Sequence, residues 1–308
     1  MSSAREIKKR IKSVKNTSQI TKAMEAVSAT KMRKAQETAV GARPFAMAGM
    51  ELLKNLLSHA PALPAILRER PVKKTLALII TSDKGLAGAF NANVLHLAED
   101  WILEKKKNKS DFSIVCVGKK AKDYFARRGF TVIKTFFGFG DFSRPADTLP
   151  VANLVLNGFG NGDWDEVIIL ATLFRSTLRQ DAACRRVLPA TEAGLREIVE
   201  SILPEKGKYA DIKHKDKKAN YDYEYIFEPT PAEILDKLVP DLLRVSVHHL
   251  ILESNASEHS ARMVAMKSAS DNAKELIEDL SLAYNKARQA GITRELTEIT
   301  AGVEASNG

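Results

Sequence analysis

The sequence predicts an α/β chain: two long terminal helices forming an antiparallel coiled coil, with a central Rossmann-like α/β domain of mostly parallel strands between them. Three observations carry this prediction. Residues 3–40 contain no Gly or Pro and are rich in Ala, Lys, Met, Glu and Gln, which are strong helix formers. Residues 231–303 also read as helical, with Pro240 early, Gly291 late and little between them to break a helix. Between the two lie short apolar runs rich in β-branched residues, which alternate with helical stretches.

At the N-terminus Ile7, Ile11 and Val14 repeat at 4-3 spacing, and Ile20, Met24 and Val27 resume the repeat after a phase slip. A stripe that narrow suits a coiled-coil seam better than a helix laid on a broad core. Gly41 and Pro44 are expected to bend or loosen the helix, which resumes through Met50, Leu53 and Leu57 and ends at "APALP", 60–64.

The centre follows a different pattern. "TLALIIT" (75–81), "FSIVCV" (112–117), "FTVIKTF" (130–136) and "VIILAT" (167–172) predict strands, with helices near 86–105, 119–128 and 145–158. Near-continuous apolar strands alternating with helices imply a parallel sheet covered on both faces. Residues 205–220, "EKGKYADIKHKDKKAN", are polar and lysine-rich, as in an exposed loop. The final helix carries Leu235, Leu242, Leu250, Met266, Leu280, Leu296 and Ile299 among its apolar positions. At ~1.5 Å per residue it would extend roughly 90–100 Å, a length typical of coiled coils. The resulting division is a 1–58 N-terminal helix, a 72–204 α/β domain, a 205–229 exposed loop and the segment after it, and a 230–304 C-terminal helix.

Charge and composition narrow the classes. The net charge is +9, and +7 of it falls in residues 1–40, where ten Lys/Arg face three acids. That is a footprint for an acidic partner. No aromatic residue precedes Phe45, so the segment offers no base-stacking platform and no aromatic membrane anchor. Two cysteines, Cys116 and Cys184, argue against a disulfide scaffold and for a reducing compartment. No apolar run approaches the ~20 residues of a membrane span, and the basic N-terminus lacks the apolar core of a secretory signal.

Several motifs invite a chemical reading. "TSDKGLAGAFN" (81–91) follows a strand and opens a helix, as a phosphate cradle does. Its glycines, Gly85 and Gly88, fit neither the dinucleotide nor the P-loop spacing, and lysines follow the second strand where an acid would be needed. The preferred reading is a strand-to-helix turn that uses glycine's freedom, with nucleotide binding as the lesser alternative. His248 and His259 share a helix face with no completing ligand set, which favours packing or solvent over metal. Cys116 and Cys184 read as inert thiols. The alternating Tyr221, Tyr223 and Tyr225 suit an extended segment presented to a partner or a plain edge strand.

Three segments together resemble a known family: "IKSVKNTSQITKAMEAVSATKMRKAQ", "TSDKGLAGAFN" and "ASEHSARMVAMKSASDNAKELIEDLSLAYNKARQAGITRELTEITAG". The chain resembles, nearly end to end, the γ subunit of bacterial F-type ATP synthase. That resemblance implies a non-catalytic rotary shaft, present once per complex, without cofactor or metal, that couples ion flow to ATP synthesis. It implies as partners the α and β subunits of an α3β3 ring, the ε subunit and the c-ring, with no nucleic acid. It also implies a peripheral position on the cytoplasmic side of the inner membrane. By the same resemblance Lys22, Met24 and Arg262 would meet the β lever and bearing. Arg288, Gln289 and Thr293 would meet the β catch loops, and Tyr223, Glu224 and Tyr225 the ε and c-ring foot. Ala87 departs from the "GLCG" common in bacterial members, no cysteine-pair insert is present, and 191–220 is longer and more basic than the family pattern. The rival reading is a basic coiled coil that binds nucleic acid or an anionic membrane.

Overall fold

The computed structural model describes residues 4–60, 63–108, 110–140, 143–200 and 226–307. The chain divides into two compact units, one of residues 28–262 and one of residues 1–27 with 263–308.

In the first unit, β1 (Lys74–Ile80), β2 (Asp111–Val117), β3 (Val132–Phe136), β4 (Glu166–Ser176) and β5 (Arg179–Leu188) form one sheet in the order β3-β2-β1-β4-β5. The first four strands are parallel and β5 is antiparallel to β4. Side chains alternate across β1 as a period of two demands. Leu76, Leu78 and Ile80 join Val151, Val155 and Phe159 of α4 (Pro145–Asn161) on one face. The same core takes Leu53 and Leu56 of α1 (Ala4–His59) and Leu242 and Ile251 of α6 (Pro231–Asn307). Ala77 and Ile79 face α2 (Phe90–Lys107) and α3 (Lys119–Arg127), where Phe125 is fully buried. Burying such a side chain stabilises by about 1.5–3 kcal/mol. With α2 and α3 on one face and α4 on the other, the chain reverses direction across the sheet between β1 and β4.

The four strands read from the sequence are present, but the sheet has a fifth. β5, "RQDAACRRVL", escaped because its charged residues give no apolar run; it is an edge strand, half-exposed over most of its length. A short helix, α5 (Glu192–Glu200), follows it. α1 runs helical through Gly41 and Pro44, and α6 through Pro240 and Gly291.

In the second unit the seam of α1 is Ala4, Ile7, Ile11, Val14, Ser18 and Thr21, an unbroken 3-4 repeat of buried or half-buried positions. Its counterpart on α6 is Met266, Ser270, Ala273, Ile277, Leu280, Tyr284 and Ala287. Ser18 Oγ lies 3.5 Å from Ser270 Oγ, and each seam runs from there to its last covered residue, Ala4 and Ala287, as antiparallel pairing requires. The expected phase slip is absent. The repeat passes straight through Ser18 and Thr21, while Ile20 (61% exposed) and Val27 (53%) point outward. Small polar residues at the seam let the backbones approach closely, and an apolar-only pattern misses them.

Candidate functional site

Open α/β sheets hold ligands beyond the carboxyl ends of their strands, where the winding reverses. Here that place is the loop after β1, residues 81–89. The N–H groups that could cradle a phosphate at the start of α3 are already engaged. Asp83 Oδ1 accepts from the Lys119 N–H at 2.9 Å, Ser82 O from the Lys120 N–H at 3.1 Å, and Thr81 Oγ1 from the Ala121 N–H at 2.9 Å. Asp83 Oδ2 reaches across to the Gly138 N–H, also at 2.9 Å, tying the loop after β3 to the same carboxylate. Within the loop, Asn91 Oδ1 accepts from the Ser82 N–H at 3.0 Å and Asn91 Nδ2 donates to Ser82 Oγ at 2.8 Å. The loop caps the start of α3 and leaves those donors nothing to offer an anion.

The turn needs left-handed backbone at Leu86 (φ 63°) and Gly88 (φ 55°) rather than at Gly85, so the expectation for Gly85 is corrected. A Cβ on Gly85 would meet only the end of Lys120, at 3.8 Å. The demanding glycine is Gly118 (φ 97°), where a Cβ would stand 2.2 Å from Thr81 O. It holds β2 and α3 close enough to β1 for the bonds above to form.

What fills the crevice is α6. Arg262 is buried, and its Nε and Nη2 both donate to Gly85 O, at 3.3 and 3.2 Å. Nη2 also donates to Glu258 Oε1 at 2.5 Å and Nη1 to His259 Nδ1 at 3.2 Å. Asn255 Nδ2 donates to Gly140 O at 3.2 Å, beyond β3. Along β4, Ser257 Oγ donates to Thr172 O (3.4 Å) and Ser260 Oγ to Thr177 O (2.8 Å), while Glu253 Oε1 accepts from the Phe174 N–H (3.1 Å). His248 sits deeper, its Nδ1 3.0 Å from Thr148 Oγ1. Because that hydroxyl spends its proton on Pro145 O, His248 Nδ1 is the donor. Burial, with a smaller contribution from neighbouring His249, pushes the His248 pKa down to about 4.

The predicted site residues fall into separate groups. Lys22 is exposed and Met24 half-buried on α1. Arg288, Gln289 and Thr293 are exposed on α6, where Thr293 Oγ1 donates to Gln289 O at 3.0 Å. All five belong to the paired-helix unit, and Arg262 belongs to the sheet unit. Tyr223, Glu224 and Tyr225 lie outside the described residues. Both histidines singled out from the sequence are buried and bonded. Burial pushes the Cys116 thiol up to about 12, away from the reactive thiolate. Sequence reasoning missed Asp83, Glu253, Asn255, Ser257 and Ser260. The signal for the last four was a run of polar residues inside a helix with no helix breaker; Asp83 lies in the loop after β1 and carried no such signal.

A family model described as ATP synthase matches residues 3–305. The ATP synthase gamma chain of Roseiflexus castenholzii is 41% identical over 99% of both chains. The chain belongs to the ATP synthase gamma-chain family. The gamma chain of Geobacter metallireducens is 42% identical over the full length of each. Among solved structures, a chain of the Euglena gracilis mitochondrial ATP synthase (OSCP/F1/c-ring, rotational state 3) has a TM-score of 0.62 at 20% identity. It matches 98% of this chain and 94% of its own. A chain of the Tetrahymena thermophila central stalk/c-ring has a TM-score of 0.54 at 22% identity over 82% of this chain and 99% of its own. These two support the fold. The nucleic-acid and anionic-membrane alternative finds no support in these relatives. No helix among the described residues is long and apolar enough to cross a membrane.

Proposed function

We propose that this chain is the central rotary shaft of an ATP synthase, coupling ion flow through a c-ring to conformational cycling of catalytic β subunits, and is itself non-catalytic. One structural observation carries the reading beyond family membership. Past Ala287 the seam ends, and every residue from 288 to 303 is exposed, including Ile292, Leu296, Ile299 and Val303 at 4-3-4 spacing. Isolated helices are marginal in water, and a repeated apolar stripe on one calls for a surrounding partner. An α3β3 ring provides such a bearing.

On this reading residues 1–58 and 230–304 supply the shaft and 72–204 the globular domain, while 205–229 form the foot toward ε and the c-ring with Tyr223, Glu224 and Tyr225. Lys22 and Met24, beside the outward-facing Ile20 and Val27, face the β lever. Arg288, Gln289 and Thr293 face the catch loops. Arg262 acts from within, by fixing the glycine loop. The basic N-terminal face meets acidic groups through exposed pairs worth about 0–1 kcal/mol each, weak enough to break at every step. On the same reading the chain lies peripherally on the cytoplasmic side of the membrane.

Co-expression with α and β subunits tests the reading. A particle holding one copy of this chain, whose ATP hydrolysis depends on it, is the expected result. Failure to co-purify, or hydrolysis indifferent to the chain, would overturn it.

A further inference from the structure

Within α6, residues 246–262 are buried on every face, with only Glu258 and Ala261 half-covered. A helix buried all round is ordinarily apolar. This one instead carries His248, Glu253, Asn255, Ser257, Ser260 and Arg262, and each is hydrogen-bonded to the sheet region. Five of the six bond backbone groups: the loops after β1 and β3 at Gly85 and Gly140, and β4 and its turn at Thr172, Phe174 and Thr177. The sixth, His248, bonds Thr148 of α4. Beyond Leu170, β4 has no pairing with β1, so α6 satisfies backbone groups at that end of the sheet.

We propose that this embedded polar stretch is a torsional key: its side chains are positioning residues that fix the rotation of α6 about its own axis against the α/β domain. The inference rests on the shaft reading, because only a chain that carries torque needs the helix held against twist. Apolar packing is non-directional, so a ridge can slide along its groove while still buried. Hydrogen bonds weaken steeply with distance and angle. Side-chain tips stand about 5–6 Å from a helix axis, so a turn of roughly 10° displaces them by about 1 Å and strains all six together. Each bond contributes only about 1 kcal/mol, but a buried group left unpaired costs about 1–3 kcal/mol. Their distribution over four helical turns and several strand ends gives the resistance to twist its leverage. Glycine-loop, β3-loop and hairpin anchors all bear on the same helix, so the place where related sheets hold a ligand here grips the shaft.

The test uses the assembled complex carrying Asn255→Ala, Ser257→Ala and Ser260→Ala together. With the α3β3 ring fixed to a surface, a probe on a cysteine introduced at exposed Lys107 of α2 reports angular fluctuations of the α/β domain during catalytic pauses. The expected result is a rise of about twofold or more in angular variance, as several bonds of roughly 1 kcal/mol are lost, with the hydrolysis rate retained. In membrane vesicles, the potential generated per ATP hydrolysed, read with an oxonol dye, should fall. A role confined to folding would lower yield but leave variance and coupling in assembled particles unchanged, and that outcome overturns the proposal. If the triple variant does not assemble, Ser260→Ala alone carries the same test at smaller amplitude. Failure of the unsubstituted chain to join the ring would overturn the shaft reading instead, so the two failures are distinct.

Discussion

Two stretches of α6 share a helix and almost nothing else. Residues 246–262 bury polar side chains on every face, whereas 288–303 expose apolar ones to water. Each inverts the usual rule, for opposite reasons. In the first, Ser257, Ser260, Asn255 and Arg262 are covered because backbone groups of the sheet need them as partners. In the second, Leu296 and Ile299 are uncovered because nothing in the described chain lies over them. Burial along one helix therefore follows what each side chain is bonded to, and polarity alone does not foretell it.

The same substitution placed in both stretches should separate them most strongly. Ser257 is fully buried, so Ser257→Lys puts an unpaired cation into a filled space. Destabilisation of about 4 kcal/mol or more is expected, or failure to fold. Thr297→Lys adds the same charge at an exposed position whose hydroxyl only returns to Thr293 O. It should stay within about 0.5 kcal/mol. Denaturant titration followed by helical circular dichroism measures both. Equal effects at the two positions would dissolve the comparison.

That contrast also marks what the sequence made legible. Apolar runs located β1, β2 and β4 because buried parallel strands are apolar on both faces, and β-branched residues marked β3, an edge strand that is only partly covered. β5 was invisible, since an edge strand such as "RQDAACRR" carries its charges toward water. The outer limits of both long helices were legible from their long runs of helix-forming residues and from "APALP". The seam was half legible: Ile7, Ile11 and Val14 marked it, but Ser18 and Thr21 continued it without an apolar signal, and Ile20 and Val27 drew the pattern onto the wrong face. At the glycine loop, the motif spacing weakened the nucleotide reading. What replaces the phosphate could not be foreseen, because Asp83, Lys119, Gly138 and Arg262 meet only in three dimensions. The foot residues Tyr223, Glu224 and Tyr225 were named from family resemblance alone.

A second prediction concerns pH and acts only on the embedded stretch. The His248 pKa is about 4 in the fold, against about 6.5 in an unfolded chain. The unfolded state therefore binds a proton first as pH falls, and folding stability declines with it. The contribution of neutral His248 is complete above pH 6.5, declines through the window from 6.5 to about 4, and is exhausted below. The loss amounts to roughly 3 kcal/mol at about 1.4 kcal/mol per unit. Trp101 and Trp164, both in the sheet unit, provide the fluorescence readout. His248→Gln should flatten the slope in that window; an unchanged slope would assign acid lability to other groups.

The smallest expected effect runs in the opposite direction. His249 neighbours His248 and is equally buried, yet neither of its ring nitrogens has a hydrogen-bond partner, and Nε2 stands 3.5 Å from an equally orphaned Glu253 Oε2. The ring lines a cavity of about 10 Å³ walled by Ala46, Met50, Leu195, Ile198, Leu242, Val245 and Ser246. A leucine there would meet mostly apolar neighbours and leave no nitrogen unsatisfied, and unmade buried hydrogen bonds cost about 1–3 kcal/mol. His249→Leu should therefore raise stability by about 1 kcal/mol, whereas His248→Leu, which strips Thr148 of its donor, should lower it by a similar amount. Adjacent histidines with opposite responses would show that the embedded stretch stabilises through its bonds and not through polarity as such. A loss at both positions would mean that His249 and Glu253 attract each other strongly enough to matter. The stretch would then hold an ion pair as well as its hydrogen bonds, and the double variant His249→Leu with Glu253→Gln would recover part of the loss.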